Sequence, residues 1–244
     1  MRFGVRHKWN VEITEARRIQ QELRWRWEGR DRLGKIRTVA GLDAAFILHG
    51  SQALQGIASR WSMLRNANRA IAAVVLYRYP EMVEIERADA EVALEFPYVP
   101  GYLSFREIPA LIASLKNLRT TPDLLFCDGQ GIAHPRRMGL ATHLGILLDV
   151  PTIGCAKSIL IGEHGRLGDA KGDWAALKDG EETVGAVLRT RESVKPIYVS
   201  QGHRVSLKTA IRLTLSVSDG VRIPRPTRDA DQLVAAVKRA RTKT

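Results

Sequence analysis

Apolar residues in the first part of the chain recur at helical spacing. In the segment TEARRIQQELRWRWE, residues 14–28, the apolar side chains of Ile19, Leu23 and Trp27 are four positions apart. This spacing predicts an amphipathic helix, and Thr14 is placed to cap its N-terminus. The polar face of the helix is basic.

The end of this helix alternates arginine with tryptophan: Arg24, Trp25, Arg26 and Trp27. We expect the tryptophans to pack inward while only the arginines face solvent. Contact of this basic helix with a DNA backbone is the alternative.

The pattern then changes to strands. Residues 38–46, TVAGLDAAF, are nearly all apolar, and residues 70–94 contain two further strand-like runs separated by a turn near Tyr79 and Pro80. Three consecutive strands of this kind predict an antiparallel meander. Residues 101–118 return to helical spacing, with Pro109 requiring a kink or an early start of regular helix.

Two short apolar runs, PDLLFCD at 122–128 and PTIGCA at 151–156, resemble strands that are buried on both faces of a parallel sheet. Residues 136–149 between them predict a helix. The resulting order β-β-β-α-β-α-β predicts an α/β fold with one mixed sheet, in which the antiparallel meander is joined to parallel strands by helical crossovers. This is the order of ribonuclease-H-like nucleases.

The remainder of the chain is more polar. Residues 161–183 are rich in glycine and charge and predict a surface excursion before two strands at 184–190 and 196–200. Another helix begins at Ser206. The end predicts a proline-broken loop, a short helix and a basic tail at about 236–244, so that residues 1–244 form a single domain.

Composition adds a partner class to this picture. Lys and Arg total 38 against 26 Asp and Glu, giving a formal net charge of +12 and a pI near 10.1. An anionic partner is indicated, with nucleic acid favoured over an acidic membrane surface. The alternative is a basic protein whose charge only aids solubility.

The cysteines and the apolar runs indicate the compartment. Cys127 and Cys155 lie in apolar runs without a CxxC pair, which argues against both a zinc site and a disulfide framework. The N-terminus lacks a signal-peptide core, and no run reaches the ~18 apolar residues that span a bilayer. We expect a cytoplasmic protein, by default a monomer, that does not bind membranes.

Candidate chemistry begins with three acids. Asp43 is a lone carboxylate in an apolar strand, and Asp128 ends the strand expected to lie beside it. A buried charge is costly unless it is paired, and a metal ion is one such partner. Glu107 is the third candidate, since Mg²⁺ takes oxygen ligands and keeps waters for substrate. The alternative for each acid alone is a solvated carboxylate.

Cationic groups follow the acids: His134, Arg136, Arg137 and Lys157. Phosphodiester hydrolysis needs charge compensation on the phosphate and a proton path, which a metal, a lysine and a histidine supply. His134 alone is weak support, because a histidine before proline is more often structural.

The segment FPYVPGYLSF, residues 96–105, places Tyr98 and Val99 between Pro97 and Pro100. Two prolines stiffen the loop, and a stiff aromatic and aliphatic tip suits a wedge that opens a base step. A proline-buttressed loop that packs inward is the alternative.

Together these segments resemble the endonuclease V family of deoxyinosine-directed repair nucleases. The match covers VAGLDAAF, FPYVPGYLSFRE, the block from DGQGIAHPRRMG to AKSIL, YVSQGHRVSLKTA and RIPRPTRDAD. The central block is the most specific, because its HPRR, TIG and AK elements keep the family spacing from the aspartate.

The resemblance implies a catalytic site of Asp43, Glu107, Asp128, His134 and Lys157, with the three acids binding Mg²⁺ or Mn²⁺ as a substitute. It implies that residues 97–100 form the wedge, with Tyr98 filling the gap left by a flipped base. It places the lesion pocket at Gly101, Leu103, Gly129, Gly139 and Leu140.

The implied substrate is single- or double-stranded DNA containing deoxyinosine, cut at the second phosphodiester 3′ to the lesion to leave 3′-hydroxyl and 5′-phosphate ends. The sequence departs from the family at three positions: Val99 stands where isoleucine is usual, Gln130 where histidine is usual, and Cys155 where valine is common. An amide and an imidazole both donate hydrogen bonds. The alternatives are a related nuclease acting on inosine-containing RNA or branched DNA, and a non-catalytic nucleic-acid-binding protein.

Overall fold

A computed structural model of the chain describes residues 4–47 and 65–241. Its helices are α1 (Ile13–Arg24), α2 (Leu103–Lys116), α3 (Leu140–Leu148), α4 (Leu207–Ser216) and α5 (Arg225–Arg241). Its strands are β1 (Thr38–Ile47), β2 (Arg69–Arg78), β3 (Val83–Ala93), β4 (Leu124–Cys127), β5 (Thr152–Ala156), β6 (Glu163–His164), β7 (Trp174–Asp179), β8 (Glu182–Leu188) and β9 (Ile197–His203).

All these strands lie in one mixed sheet with the order β3-β2-β1-β4-β5-β9-β8-β7-β6. The strands β1, β2 and β3 pair antiparallel, whereas β4 and β5 continue the sheet parallel to β1. The predicted meander with parallel strands after it is confirmed. The apolar runs of β2, β4 and β5 are buried because helices cover both faces of the sheet.

The helices divide between the two faces. Side chains of α1, α2 and α3 form one apolar cluster with β1, β2 and β4, and side chains of α4 and α5 pack in a second cluster across the sheet. Ser206 caps α4 by accepting a hydrogen bond from the Thr209 amide at 3.2 Å. In the described ranges, 4–47 and 65–241, no helix is long and apolar enough to cross a membrane.

The N-terminal helix differs from its prediction at both ends. It begins at Ile13, so Thr14 is not its cap, and the N-cap Glu12 makes no side-chain cap hydrogen bond. It ends at Arg24, before the tryptophans. Trp27 is half-buried against the core, but Trp25 is 90% exposed, so the expected inward packing is wrong for Trp25.

The polar part of the chain differs from its prediction in two ways. The surface excursion predicted at residues 161–183 contains β6 and β7, which extend the edge of the sheet. The last helix is not short: α5 has 17 residues and takes in most of the expected basic tail. Pro226 is tolerated because it lies in the first helical turn, where a missing amide donor breaks no helical hydrogen bond. Residues 242–244 lie outside the described ranges.

Candidate active site

The sheet brings the first two candidate acids together. Leu42 of β1 is in register with Cys127 of β4, and the Asp128 amide donates a 3.1 Å hydrogen bond to the Leu42 carbonyl. Asp43, within β1, and Asp128, directly after β4, therefore lie side by side on adjacent parallel strands. Glu107 enters from α2 and is buried, so that all three acids line one cavity of about 660 Å³.

The electrostatics of the cavity disfavour ionised carboxylates. Burial raises the pKa of Asp43 to about 8, and the negative charges of Asp128 and Asp231 add to the shift. The pKa values of Asp128 and Glu107 are raised by burial as well, and Glu107 also faces the charges of Asp43 and Asp128. A cation among these groups would favour their charged forms.

This repulsion predicts a pH-dependent stability for the metal-free protein. The folded-state pKa of Asp43, about 8, lies above its ordinary value of 3.8, so its contribution to stability is full below pH 3.8 and is lost as the pH rises through 8. Asp43→Asn should raise the free energy of unfolding more at pH 8.5 than at pH 6, by a difference of about 2–3 kcal/mol, since the folded-state pKa lies roughly two units above pH 6.

Urea unfolding in EDTA at the two pH values measures this effect. Asp169→Asn is the matched control, because Asp169 pairs with Arg189 and its side chain is 82% exposed. A parent and an Asp43→Asn variant with the same loss of stability between pH 6 and 8.5 would contradict the prediction.

A fourth acid, Asp231 of α5, lines the same cavity and was not among the predicted site residues. Lys157 follows β5, and its ammonium lies 2.5 Å from an Asp128 carboxylate oxygen and 3.5 Å from one of Asp231. Burial lowers the pKa of Lys157, but the hydrogen bond and attraction to Asp128 outweigh it and leave that pKa raised. The lysine is therefore charged and lies among the carboxylates.

His134 is buried and lines the cavity, but its ring is hydrogen-bonded on both sides. Nε2 lies 3.0 Å from the Gly101 carbonyl, and the Arg136 amide donates to Nδ1 at 3.2 Å. These partners fix a neutral ring with its proton on Nε2. Burial and the Arg136 charge lower the pKa of His134 to about 4, in agreement with that neutral form.

The two arginines of the HPRR segment hold this loop in place. Arg136 donates to the Gly101 carbonyl at 2.6 Å and lies over the Tyr102 ring. Arg137 has a positive φ of 55° and pairs with Asp179 and Glu182, each at 2.7 Å. The β7–β8 hairpin thus supports the loop that carries His134.

The predicted wedge borders the cavity. Tyr98, Val99 and Pro100 line it, whereas Pro97 is exposed and is not among the lining residues. Tyr98 and Val99 are half-buried rather than fully exposed, with Val99 packed against the core and the Arg106 guanidinium 5.9 Å from the centre of the Tyr98 ring. The loop then turns at Gly101, whose φ of 82° suits glycine.

All five predicted lesion-pocket residues line the same cavity: Gly101, Leu103, Gly129, Gly139 and Leu140. Gln130 lies beside them and donates from Nε2 to the Ser158 carbonyl at 2.9 Å, which ties the loop after β4 to the loop after β5. Cys127 and Cys155 are buried and unpaired.

The donor set fits a hard divalent cation. Four carboxyl groups, those of Asp43, Glu107, Asp128 and Asp231, line the cavity and offer only oxygen ligands, which Mg²⁺ and Mn²⁺ prefer. Within residues 4–47 and 65–241, however, no three Asp, Glu, His or Cys side chains meet at metal-ligand spacing. The fit rests on donor chemistry and on the mutual repulsion of the acids.

Comparison with known proteins places this arrangement in a family. A model of the endonuclease V family matches residues 21–232. The chain belongs to the endonuclease V family. Endonuclease V of Roseiflexus castenholzii is 47% identical over 235 residues, which are 96% of this chain and 97% of the relative. Membership implies a nuclease.

Solved endonuclease V structures share the fold. The Streptomyces avermitilis protein superimposes with a TM-score of 0.84 at 38% identity, covering 98% of each chain. Endonuclease V of Ciona intestinalis, solved with a 24mer DNA containing an inosine followed by a ribo-adenosine, gives a TM-score of 0.74 at 28% identity and covers 93% of this chain and 98% of that one. The predicted ribonuclease-H-like fold is confirmed.

Proposed function

We propose that this chain is a metal-dependent endonuclease that rotates deoxyinosine out of DNA and hydrolyses the second phosphodiester bond 3′ to it. The products would carry 3′-hydroxyl and 5′-phosphate ends. The main support is that one cavity joins four carboxyl groups and Lys157 to the Tyr98 loop. The Ciona relative bound to inosine-containing DNA supports the choice of lesion.

In this proposal Asp43, Asp128 and Glu107 hold Mg²⁺ or Mn²⁺, with Asp231 beside them. The ion supplies charge stabilisation at the scissile phosphate and activation of water. Lys157 adds a positive charge. Asp128 and Asp231 hold its ammonium in the cavity, where it would stabilise charge on a phosphate oxygen.

We assign His134 to positioning rather than to proton transfer. Both of its ring nitrogens are bound within the protein, and its lowered pKa keeps the ring neutral at pH 7. Its bond to the Gly101 carbonyl fixes the turn between the wedge and α2. The histidine therefore acts by holding the lesion-pocket wall and the wedge in register.

If the Tyr98 loop acts as a wedge, its loss should affect duplex DNA more than single-stranded DNA. Tyr98→Ala should lower cleavage of an inosine-containing duplex by about tenfold, since an aromatic ring on a base contributes roughly 1–3 kcal/mol. The same lesion in single-stranded DNA has no opposing stack to replace, so its cleavage should change little. Single-turnover rates on the two substrates measure the difference, with Tyr98→Phe as the control that keeps the ring. An equal loss on both substrates would contradict a wedge role.

A second candidate substrate is inosine-containing RNA, because the DNA bound by the Ciona relative has a ribonucleotide after its inosine. Matched oligonucleotides carrying one inosine in DNA, in RNA or in DNA with one ribonucleotide 3′ to it decide between them. Preference for the all-DNA substrate over both others and over undamaged DNA supports the proposal. Preference for RNA replaces it.

A single domain, a monomeric state and a cytoplasmic location stay predictions from the sequence. The net positive charge suits single- and double-stranded DNA alike.

A protein that binds nucleic acid without cleaving it is the alternative. It would be supported if Mg²⁺ had no effect on DNA binding and if neutral variants of the acids bound DNA as the parent does.

A further inference from the structure

Two arginines at the exposed edge of α1 have no ion-pair partner among the described residues. Arg17 and Arg24 are exposed, and neither forms an ion pair within the described parts of the chain. Arg18, on the same helix, is paired with both Glu15 and Glu22. The helix thus presents one neutralised arginine and two available ones.

The available arginines lie on the side of α1 that faces the wedge loop. Gln20 points into the protein, where its amide donates to the Gly101 carbonyl at 3.2 Å and accepts from the Arg136 guanidinium at 2.5 Å. Helical geometry places Arg17 and Arg24 within about 60° of Gln20 around the helix axis, and both are displaced from Gln20 in the same direction. Burial lowers the pKa of Arg136, and the charge of Arg17 adds to that shift.

The exposed aromatic residue at the end of the helix lies on a different face. Trp25 is 90% exposed, but it is about 100° from Arg24 and within about 20° of Arg18 around the helix axis. Trp25 is therefore a control for the surface that carries Arg17 and Arg24.

Spacing along the helix suits a nucleic acid. Arg17 and Arg24 are seven residues apart, so they lie roughly 10 Å apart along the axis, which equals about three nucleotide steps of duplex DNA. Gln20 fastens this surface to Gly101, so the helix and the wedge loop form one unit.

We infer that Arg17 and Arg24 form a second DNA-contacting surface, which binds the phosphate backbone flanking the lesion independently of the flipped base. This inference rests on the proposed function for its choice of DNA. It assigns the surface a role in affinity for any sequence rather than in recognition of the lesion.

Salt dependence of binding tests the inference. In an Asp128→Asn background that prevents cleavage, binding of an undamaged and an inosine-containing 30-base-pair duplex is measured from 50 to 300 mM salt. Arg17→Ala with Arg24→Ala should lower the slope of log K against log salt by about 1.8, because each phosphate contact contributes roughly 0.9. Affinity should fall about tenfold at low salt, and equally for both duplexes.

Arg18→Ala is the control, since that arginine is already neutralised by two glutamates. It should leave the slope unchanged. Trp25→Ala, which alters the face that carries Arg18, should leave both the slope and the affinity unchanged. Thermal melting confirms that these exposed substitutions leave the fold intact.

A double variant with the parental slope, or an Arg18→Ala slope that falls as far as that of the double variant, would overturn the inference. The cleavage assay on inosine DNA with an unmutated Asp128 is a separate measurement. Its failure would overturn the proposed function, whereas the slopes report only on the α1 surface.

Discussion

Asp128→Asn is expected to reduce Mg²⁺-dependent cleavage of inosine DNA by about 10³-fold or more. Asp128 lies at the centre of the site. It directly follows β4, is beside Asp43 of the neighbouring strand β1, and its carboxylate lies 2.5 Å from the Lys157 ammonium. An amide of the same size keeps the packing but removes a charged oxygen ligand and the partner that orients the lysine. Single-turnover cleavage at saturating enzyme measures the effect without a contribution from DNA affinity.

The folded state of this variant should survive, because replacing one of several mutually repelling carboxyl groups relieves repulsion. Asp169→Asn is the control for charge, as its side chain is 82% exposed. If Asp128→Asn cleaves at the parental rate in Mg²⁺, the acidic site is wrongly assigned.

Gly41→Ala is expected to destabilise the protein by about 3 kcal/mol, near the upper end for overpacking a core. A Cβ atom on Gly41 would overlap the backbone carbonyl of Pro226, because α5 begins directly against β1. The clash involves backbone on both sides, so no side-chain rotation relieves it. The substitution should also impair cleavage, since α5 carries Asp231 into the cavity.

Urea unfolding gives the free energies for this test. Gly34→Ala is the matched control, because a Cβ atom there meets nothing within 4 Å. Equal midpoints for the two variants would show that α5 does not pack on β1 as closely as the structure indicates.

The sheet and two of its acids could be predicted because burial leaves a pattern in the sequence. A strand buried on both faces reads as an apolar run, and a single aspartate in such a run, as at Asp43, is visible as an exception. Parallel pairing then brings Asp128 beside it. The proline-flanked tip at residues 97–100 indicated a wedge, whereas the family resemblance supplied the role of Tyr98 and the lesion pocket.

Asp231 could not be found in the same way. It lies in RPTRDADQ, where charged residues are common, and only the packing of α5 on β1 turns it toward Lys157. The two prolines near residue 225 favoured a broken loop, but Pro226 occupies a helical position that needs no donor. The resemblance included this segment, which was the one available signal.

Tertiary contacts also decided two other features. The strands β6 and β7 are short and partly exposed, so their sequences are polar and resemble a loop. The sequence left His134 open between proton transfer and a structural role, and the partners of its two nitrogens favour positioning. The residue pattern of one segment does not indicate which groups from distant parts of the chain will form hydrogen bonds with it.

Mapping the position of the cut tests whether these acids support lesion-directed hydrolysis. A duplex with one deoxyinosine, labelled at the 5′ end of the inosine strand, is incubated with the protein in Mg²⁺ and in EDTA beside an undamaged duplex. We expect a nick at the second phosphodiester 3′ to the inosine, with a 3′-hydroxyl end, only in Mg²⁺ and only in the damaged duplex. A nick that persists in EDTA, or one of equal yield in the undamaged duplex, would contradict it.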